Sequence, residues 1–266
     1  MRKISVFWIA MLLVAALLAG CAPVANPETT PTEDPTTAET EAPTVVPTET
    51  PTEAPTEAEV HYEGDASSYY IDVVYTEQIE RYHTALAEKW DEEKYFDNNM
   101  SELPVSYYKG NPLSNVGFGF VDLDNDGRWE LIIGAILNAE KDPAVFEIWT
   151  QVDGKPVMLA QGGSRNRYVL EYVEEDNMWY VVNEAANGAA SSATYYMMLL
   201  EGELKVMQGI LFDAEADAEN PWFMTYDMDW DVSNDEPIDE DMANAILNTN
   251  RSHYTALEMF PYILYQ

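Results

Sequence analysis

The sequence predicts an α+β fold: an antiparallel β-meander sheet flanked by an N-terminal and a C-terminal helix, preceded by a signal peptide and a disordered linker. Three observations carry that expectation. Ile79, Tyr82, Leu86 and Trp90 recur at helical spacing, seven short apolar runs separated by turn residues follow between 131 and 212, and acids at 239–241 precede a second apolar stripe.

The first element, residues 1–20, has the parts of a secretory leader: basic Met1-Arg2-Lys3, an apolar run from Ile4 to Leu18, and small residues ahead of Cys21. The run is shorter than the roughly twenty apolar residues that span a bilayer. With Leu18-Ala19-Gly20 before the single cysteine of the chain, the segment resembles the lipobox of bacterial lipoproteins. That resemblance implies a diacylglyceryl group on the Cys21 thiol, Cys21 as the mature N-terminus, and an extracytoplasmic protein held on a membrane without crossing it, the Gram-positive cell surface being the favoured setting. A lone cysteine also excludes an intrachain disulfide, so the folded part depends on its core.

Residues 21–60 form the tether. This stretch holds eight of the fifteen prolines, repeats Pro-Thr-Glu from positions 31, 47, 51 and 55, and contains no Lys, Arg or aromatic residue. Such a composition cannot bury enough apolar surface to offset chain entropy. Proline stiffness and like charges make it a spacer that reaches about 120 Å when fully extended.

Residues 61–266 are expected to be one globular domain, with six of the seven tryptophans. Without the nine acids of the tether and the two cations of the leader, 39 acids remain against 11 Lys and Arg, a formal charge of −28. A surface of that sign repels phosphate backbones, which excludes nucleic acid as a partner, and attracts cations.

Within the domain, Thr76 is expected to cap the first helix, with Ile79, Tyr82, Leu86 and Trp90 inward. The runs 131–137, 145–150, 157–160, 168–173, 178–183, 194–200 and 204–212 read as strands. Asp153-Gly154, Asp176-Asn177 and Glu201-Gly202 read as hairpin turns, and such short connections imply antiparallel neighbours. Asp239, Glu240 and Asp241 sit where a helix dipole favours acids, ahead of Met242, Ala245, Ile246 and Thr249.

The chemistry concentrates in Asp122-Leu123-Asp124-Asn125-Asp126-Gly127-Arg128-Trp129-Glu130. Three carboxylates at alternate positions followed by glycine can wrap one cation, and hard oxygen ligands at this spacing suit Ca²⁺. The expected ligands are Asp122, Asp124 and Asp126, the backbone carbonyl of Arg128, and Glu130 as the closing carboxylate. An ordinary EF-hand is excluded because its twelfth position is Ile133 and Leu131-Ile132-Ile133 reads as strand. The stretch resembles the FG-GAP-type calcium loops of integrin-like repeats, and more closely the single D-x-D-x-D-G-x-x-E-L segment of clostridial-type surface lipoproteins, which have a helix before it and a sheet after it. Integrin-like propellers repeat the loop, whereas this chain has it once, so a propeller and the ligand-binding role of integrin heads do not carry over.

A second acidic run, Asp227-Met228-Asp229-Trp230-Asp231 with Asp235 beyond it, lacks the glycine, and Val232 stands in its place. Its alternation favours a half-buried strand with Tyr226, Met228, Trp230 and Val232 on one face over a second metal site. No nucleophile or zinc motif occurs, and His61, His83 and His253 lack metal-ligand spacing. The functional expectation is a lipid-anchored, extracytoplasmic calcium-binding lipoprotein that acts as a binding, adhesion or structural module, with a glycan or a surface protein as ligand. The alternative is an envelope glycan hydrolase using carboxylates that leave no sequence signature, with the tryptophans and Tyr195-Tyr196 as a sugar platform.

Overall fold

A computed structural model describes residues 66–175, 177–251 and 254–265. The signal peptide, Cys21, the tether and residues 61–65 lie outside the described residues, as do Asp176 of the expected hairpin turn, His61 and His253.

A short helical segment, Ala66–Tyr69, runs into a π-turn at Tyr70–Val74. Two helices follow, α1 (Thr76–Glu88) and α2 (Glu92–Asp97). The apolar stripe of α1 is buried through Ile79, Tyr82, Ala85 and Leu86. Thr76 is not its cap, a correction to the expectation: the cap position is Tyr75, without a side-chain bond, and the Thr76 hydroxyl donates instead to the Ile71 carbonyl at 2.9 Å. Lys89 adopts φ 53° and ends the helix, so Trp90 falls beyond it. The Trp90 ring meets Tyr95 edge-on at 5.8 Å and carries the Lys94 ammonium 4.3 Å from its centroid.

The sheet comprises β1 (Val116–Val121), β2 (Glu130–Ala135), β3 (Val145–Val152), β4 (Lys155–Gln161), β5 (Asn166–Val173), β6 (Met178–Ala186), β7 (Ser191–Leu200), β8 (Glu203–Asp213), β9 (Trp222–Thr225), β10 (Glu236–Pro237) and β11 (Phe260–Pro261). Their order is β10-β9-β8-β7-β6-β5-β3-β2-β1-β11, with β4 beside β3 and every pairing antiparallel. The protein is therefore mostly an antiparallel sheet with a few helices, an α+β arrangement. The departure from a plain meander is at β3, whose outer edge pairs with β5 at Val145 and with β4 from Glu147 onward. Asp153-Gly154 and Glu201-Gly202 take positive φ at both residues, as two-residue hairpin turns require.

The side-chain alternation of β2 explains the two cores. Leu131 and Ile133 face an aromatic-rich cluster under α1 that includes Phe118, Phe146, Tyr82 and Tyr262. Ile132 faces the opposite cluster, with Ile148, Leu170, Val181, Tyr195, Leu211 and Phe223. All six residues of β2 are buried, which is why it reads as an unbroken apolar run.

The last helix, α3 (Glu240–Arg251), begins at Asp239, whose carboxylate accepts the Met242 amide at 2.7 Å. Its buried positions are Ala243 and Ile246, while Met242 and Ala245 are exposed, so the inward face is turned from the one expected. The strand expected across 226–232 is absent: the chain there bends and enters a 3-10 turn at Val232–Asn234. Tyr226 is 54% and Met228 44% exposed, so the alternation has no sheet to bury it. Among the described residues no helix is long and apolar enough to cross a membrane.

Candidate metal centre

The loop joining β1 to β2 leaves a full antiparallel register that ends at Val121 opposite Glu130. Residues 122–129 must therefore reverse direction over a fixed gap. Two positive φ angles make the turn, Asn125 at 60° and Gly127 at 86°. Asp122 holds it from inside: its Oδ1 accepts the Asp126 amide at 3.0 Å and its Oδ2 the Gly127 amide at 2.9 Å.

Asp122, Asp124 and Glu130 come together, each offering a carboxylate oxygen within 4.8 Å of the others, a group that can hold a metal ion. Ligands about 2.4 Å from one Ca²⁺ stand no more than about 4.8 Å apart, so the spacing fits a single ion. Asp124 is half-buried, and burial, followed by the charge of Asp126, raises its carboxyl above the usual range.

Glu130 is 2% exposed. Its Oε2 accepts the Leu123 amide at 2.8 Å and its Oε1 the Thr150 hydroxyl at 2.9 Å. Burial pushes its pKa up to about 7, against the lowering effect of those two donors. Each carboxylate oxygen keeps a free lone pair, so Glu130 can ligate a cation without surrendering either bond. A buried carboxylate beside two others is the donor set that a hard cation would neutralise.

Asp126 is bonded to the amide and side chain of Arg128. The Asp126 carboxylate accepts the Arg128 amide and Nε, both at 2.7 Å, and forms an ion pair with its Nη2. Burial acts to raise the Asp126 pKa, but the Arg128 bonds and charge outweigh it and lower the value. Of the expected carboxylates, Asp122, Asp124 and Glu130 converge, while Asp126 is engaged by the Arg128 side chain.

Sequence reasoning missed the groups that hold this loop in place. The Trp129 amide donates to the Tyr70 hydroxyl at 3.0 Å, and the Tyr75 hydroxyl donates to the Trp129 carbonyl at 3.0 Å. The Trp129 ring stacks on Tyr70 at 5.5 Å, and Asn125 donates to the Asn177 carbonyl at 3.0 Å. Thr150 is the partner a sequence could have suggested, as a polar residue inside an apolar strand run.

Glu147 of β3 is a second buried carboxylate, facing the α1 side. It accepts the Ser101 amide at 3.0 Å and the Trp149 indole N–H at 2.9 Å. Burial raises its pKa, and its charge in turn helps to raise the phenols of Tyr82 and Tyr262. Of the aromatics in the alternative sugar platform, the tyrosine pair is withdrawn from solvent. Tyr195 and Tyr196 are both buried, and the six tryptophans of the domain are all half-buried. Arg167 pairs with Asp142, which accounts for one of the two basic residues at 165–167.

Comparison of the chain with protein families, with curated proteins and with solved structures finds no match to any of them.

Proposed function

We propose that this chain is a calcium-binding lipoprotein, anchored outside the cytoplasm through lipid on Cys21, that works as a surface binding or structural module. The observation that carries the reading is the convergence of Asp122, Asp124 and the buried Glu130 on one point. Calcium is the cation of choice because every donor is a hard oxygen in an irregular loop, without the near-octahedral cage that Mg²⁺ demands. The Arg128 carbonyl is the further ligand proposed at the seventh loop position. A ligand set poorer than that of an EF-hand implies modest affinity, and extracellular calcium modules work with Kd values of about 0.1–1 mM. The lipobox-like residues at 18–21 and the Pro-Thr-Glu tether support a location where calcium reaches such levels.

The ion's role in this reading is to order the exposed tip, Asn125 to Arg128, for contact with a glycan or a surface protein. The test is retention of the protein on cell-wall glycans and surface extracts, with Ca²⁺ and with chelator. Calcium-dependent retention lost in Asp124→Ala is the expected result. Retention indifferent to calcium, or sugar products released on incubation, would overturn it.

A further inference from the structure

Between the proposed tether and α1 in the sequence lies a short strap, made of the helical segment Ala66–Tyr69 and the π-turn Tyr70–Val74. Among residues 67–74 only Tyr70 is buried, and Ser67, Asp72 and Val73 are exposed. The Thr76 hydroxyl ties the strap to α1 through the Ile71 carbonyl. Its deepest contact with the sheet is the Tyr70 ring, which packs on Phe120 at 5.7 Å and stacks on Trp129 at 5.5 Å.

The π-turn decides where the two phenols of this region go. Tyr70 and Tyr75 are five residues apart, and an α-helix would set them about 140° apart around its axis. The wider turn, closed by the Tyr75 amide on the Tyr70 carbonyl at 2.8 Å, instead brings the rings to one side, stacked at 6.1 Å. The Tyr70 hydroxyl then accepts the Trp129 amide, and the Tyr75 hydroxyl donates to the Trp129 carbonyl, both at 3.0 Å. One residue is thus gripped at both of its backbone polar groups. Trp129 stands just past the last register pair of β1 and β2, Val121 opposite Glu130, so the strand ladder does not hold it. The residue that follows is Glu130, whose carboxylate must stay converged with Asp122 and Asp124 if an ion is to be held.

Resting on the calcium reading above, we infer that the strap is a positioning device for the metal site: Tyr70 and Tyr75 fix the backbone on which Glu130 is mounted, so calcium affinity depends on the strap being docked. With the strap in place, the loop meets the ion with its closing carboxylate already set, and binding is spared the entropy of ordering Trp129 and Glu130. With the strap lifted, that ordering opposes binding and the affinity falls. Linkage makes the effect mutual, since calcium resists lifting of the strap by the factor with which the docked strap tightens calcium. Tyr70 and Tyr75 touch no ion in this scheme and act only through Trp129. A partner that grips the strap would therefore turn the metal site down without approaching it.

The experiment is calorimetric Ca²⁺ titration of the full chain, paired with urea unfolding in chelator. Tyr70→Phe keeps the ring and loses only the hydroxyl, and it should weaken calcium about threefold to tenfold, the effect of one hydrogen bond. Tyr75→Phe should weaken it by a similar factor. Ser101→Ala, which breaks the buried bond to the Gly162 carbonyl outside the loop, is the control for general destabilisation. It should lower stability in urea and leave the calcium affinity where it is. In the wild type, calcium should slow hydrogen exchange at the amides of residues 67–75, because openings of the strap become rarer. Unchanged affinity in Tyr70→Phe, an equal loss of affinity in Ser101→Ala, or exchange in the strap indifferent to calcium would overturn the inference and leave the calcium reading intact. A wild type that binds no Ca²⁺ refutes the calcium reading and this inference with it, so the two failures are told apart.

Discussion

Replacing Glu130 with glutamine should make the metal-free protein more stable at pH 8 and deprive it of its response to calcium. The folded protein raises this carboxyl from 4.5 to about 7. Between those values the folded state binds a proton that the unfolded state has lost, so stability is greatest at low pH and falls as pH rises through the folded pKa. At about 1.4 kcal/mol per pKa unit, the charged side chain costs the metal-free fold about 3 kcal/mol above pH 7. Glutamine removes the charge while keeping the shape. Its Oε1 can accept the Leu123 amide, and its amide nitrogen can donate to Thr150, whose hydroxyl then turns around. Urea unfolding followed by tryptophan fluorescence, in chelator, should show Glu130→Gln ahead of the wild type by up to about 3 kcal/mol at pH 8. The gap should close as pH falls toward 4.5. Saturating calcium should reverse the ranking, because an ion at a hundred times its Kd adds about 2.7 kcal/mol to the form that binds it. A difference between the two proteins in chelator that is independent of pH would refute the buried-charge argument, and equal calcium responses would refute Glu130 as a ligand.

Further outcomes follow from the same geometry. Asp122→Ala should abolish calcium binding in calorimetry and cost the metal-free protein about 1–2 kcal/mol through the two amides it leaves unpaired. Asp126→Ala should weaken binding far less, since that carboxylate is engaged by Arg128. Gly127→Ala meets no atom within 4 Å but keeps a φ of 86°, so thermal unfolding should register only the backbone penalty, about 1 kcal/mol. Glu147→Ala strands the buried Ser101 amide and leaves the half-buried Trp149 indole without its acceptor, and should cost about 3 kcal/mol in urea unfolding, whereas Glu147→Gln should cost less.

What the sequence reveals and what it conceals divide along physical lines. Strands β5 to β8 are legible because each carries a buried apolar run and the turn at Glu201-Gly202 takes positive φ at both residues. The loop at 122–130 is legible because its spacing of acids and glycine is itself the geometry. The sharing of one β3 edge between β4 and β5 is not legible, since it follows from long-range pairing that no local pattern records. The alternation at 226–232 misleads for a related reason. Periodicity states which residues would share a face, but only a neighbouring strand makes that face worth burying, and the aspartates there bind the backbone two residues on instead. Asp126 escapes sequence reasoning too. Its spacing suits a ligand, yet the guanidinium two residues along offers a closer partner.

The surroundings of the loop argue that an ion there serves order more than chemistry. Its two ends are already fixed, at Val121 opposite Glu130 on the sheet and at Trp129, whose amide and carbonyl are taken by Tyr70 and Tyr75. What remains unanchored by the core is the short exposed stretch from Asn125 to Arg128, tied to its neighbour through the Asn125 bond to Asn177. Glu130 lies in the sheet with both oxygens engaged, so it is placed to hold a cation and poorly placed to exchange protons with a substrate in solvent. In the proposed reading, binding energy delivered at Asp122, Asp124 and Glu130 would be used against the entropy of the tip, the most exposed part of the loop. A surface ordered with calcium and loosened without it is what the proposed binding module would require, and the frame of β1, β2 and the two tyrosines would confine such a change to the tip.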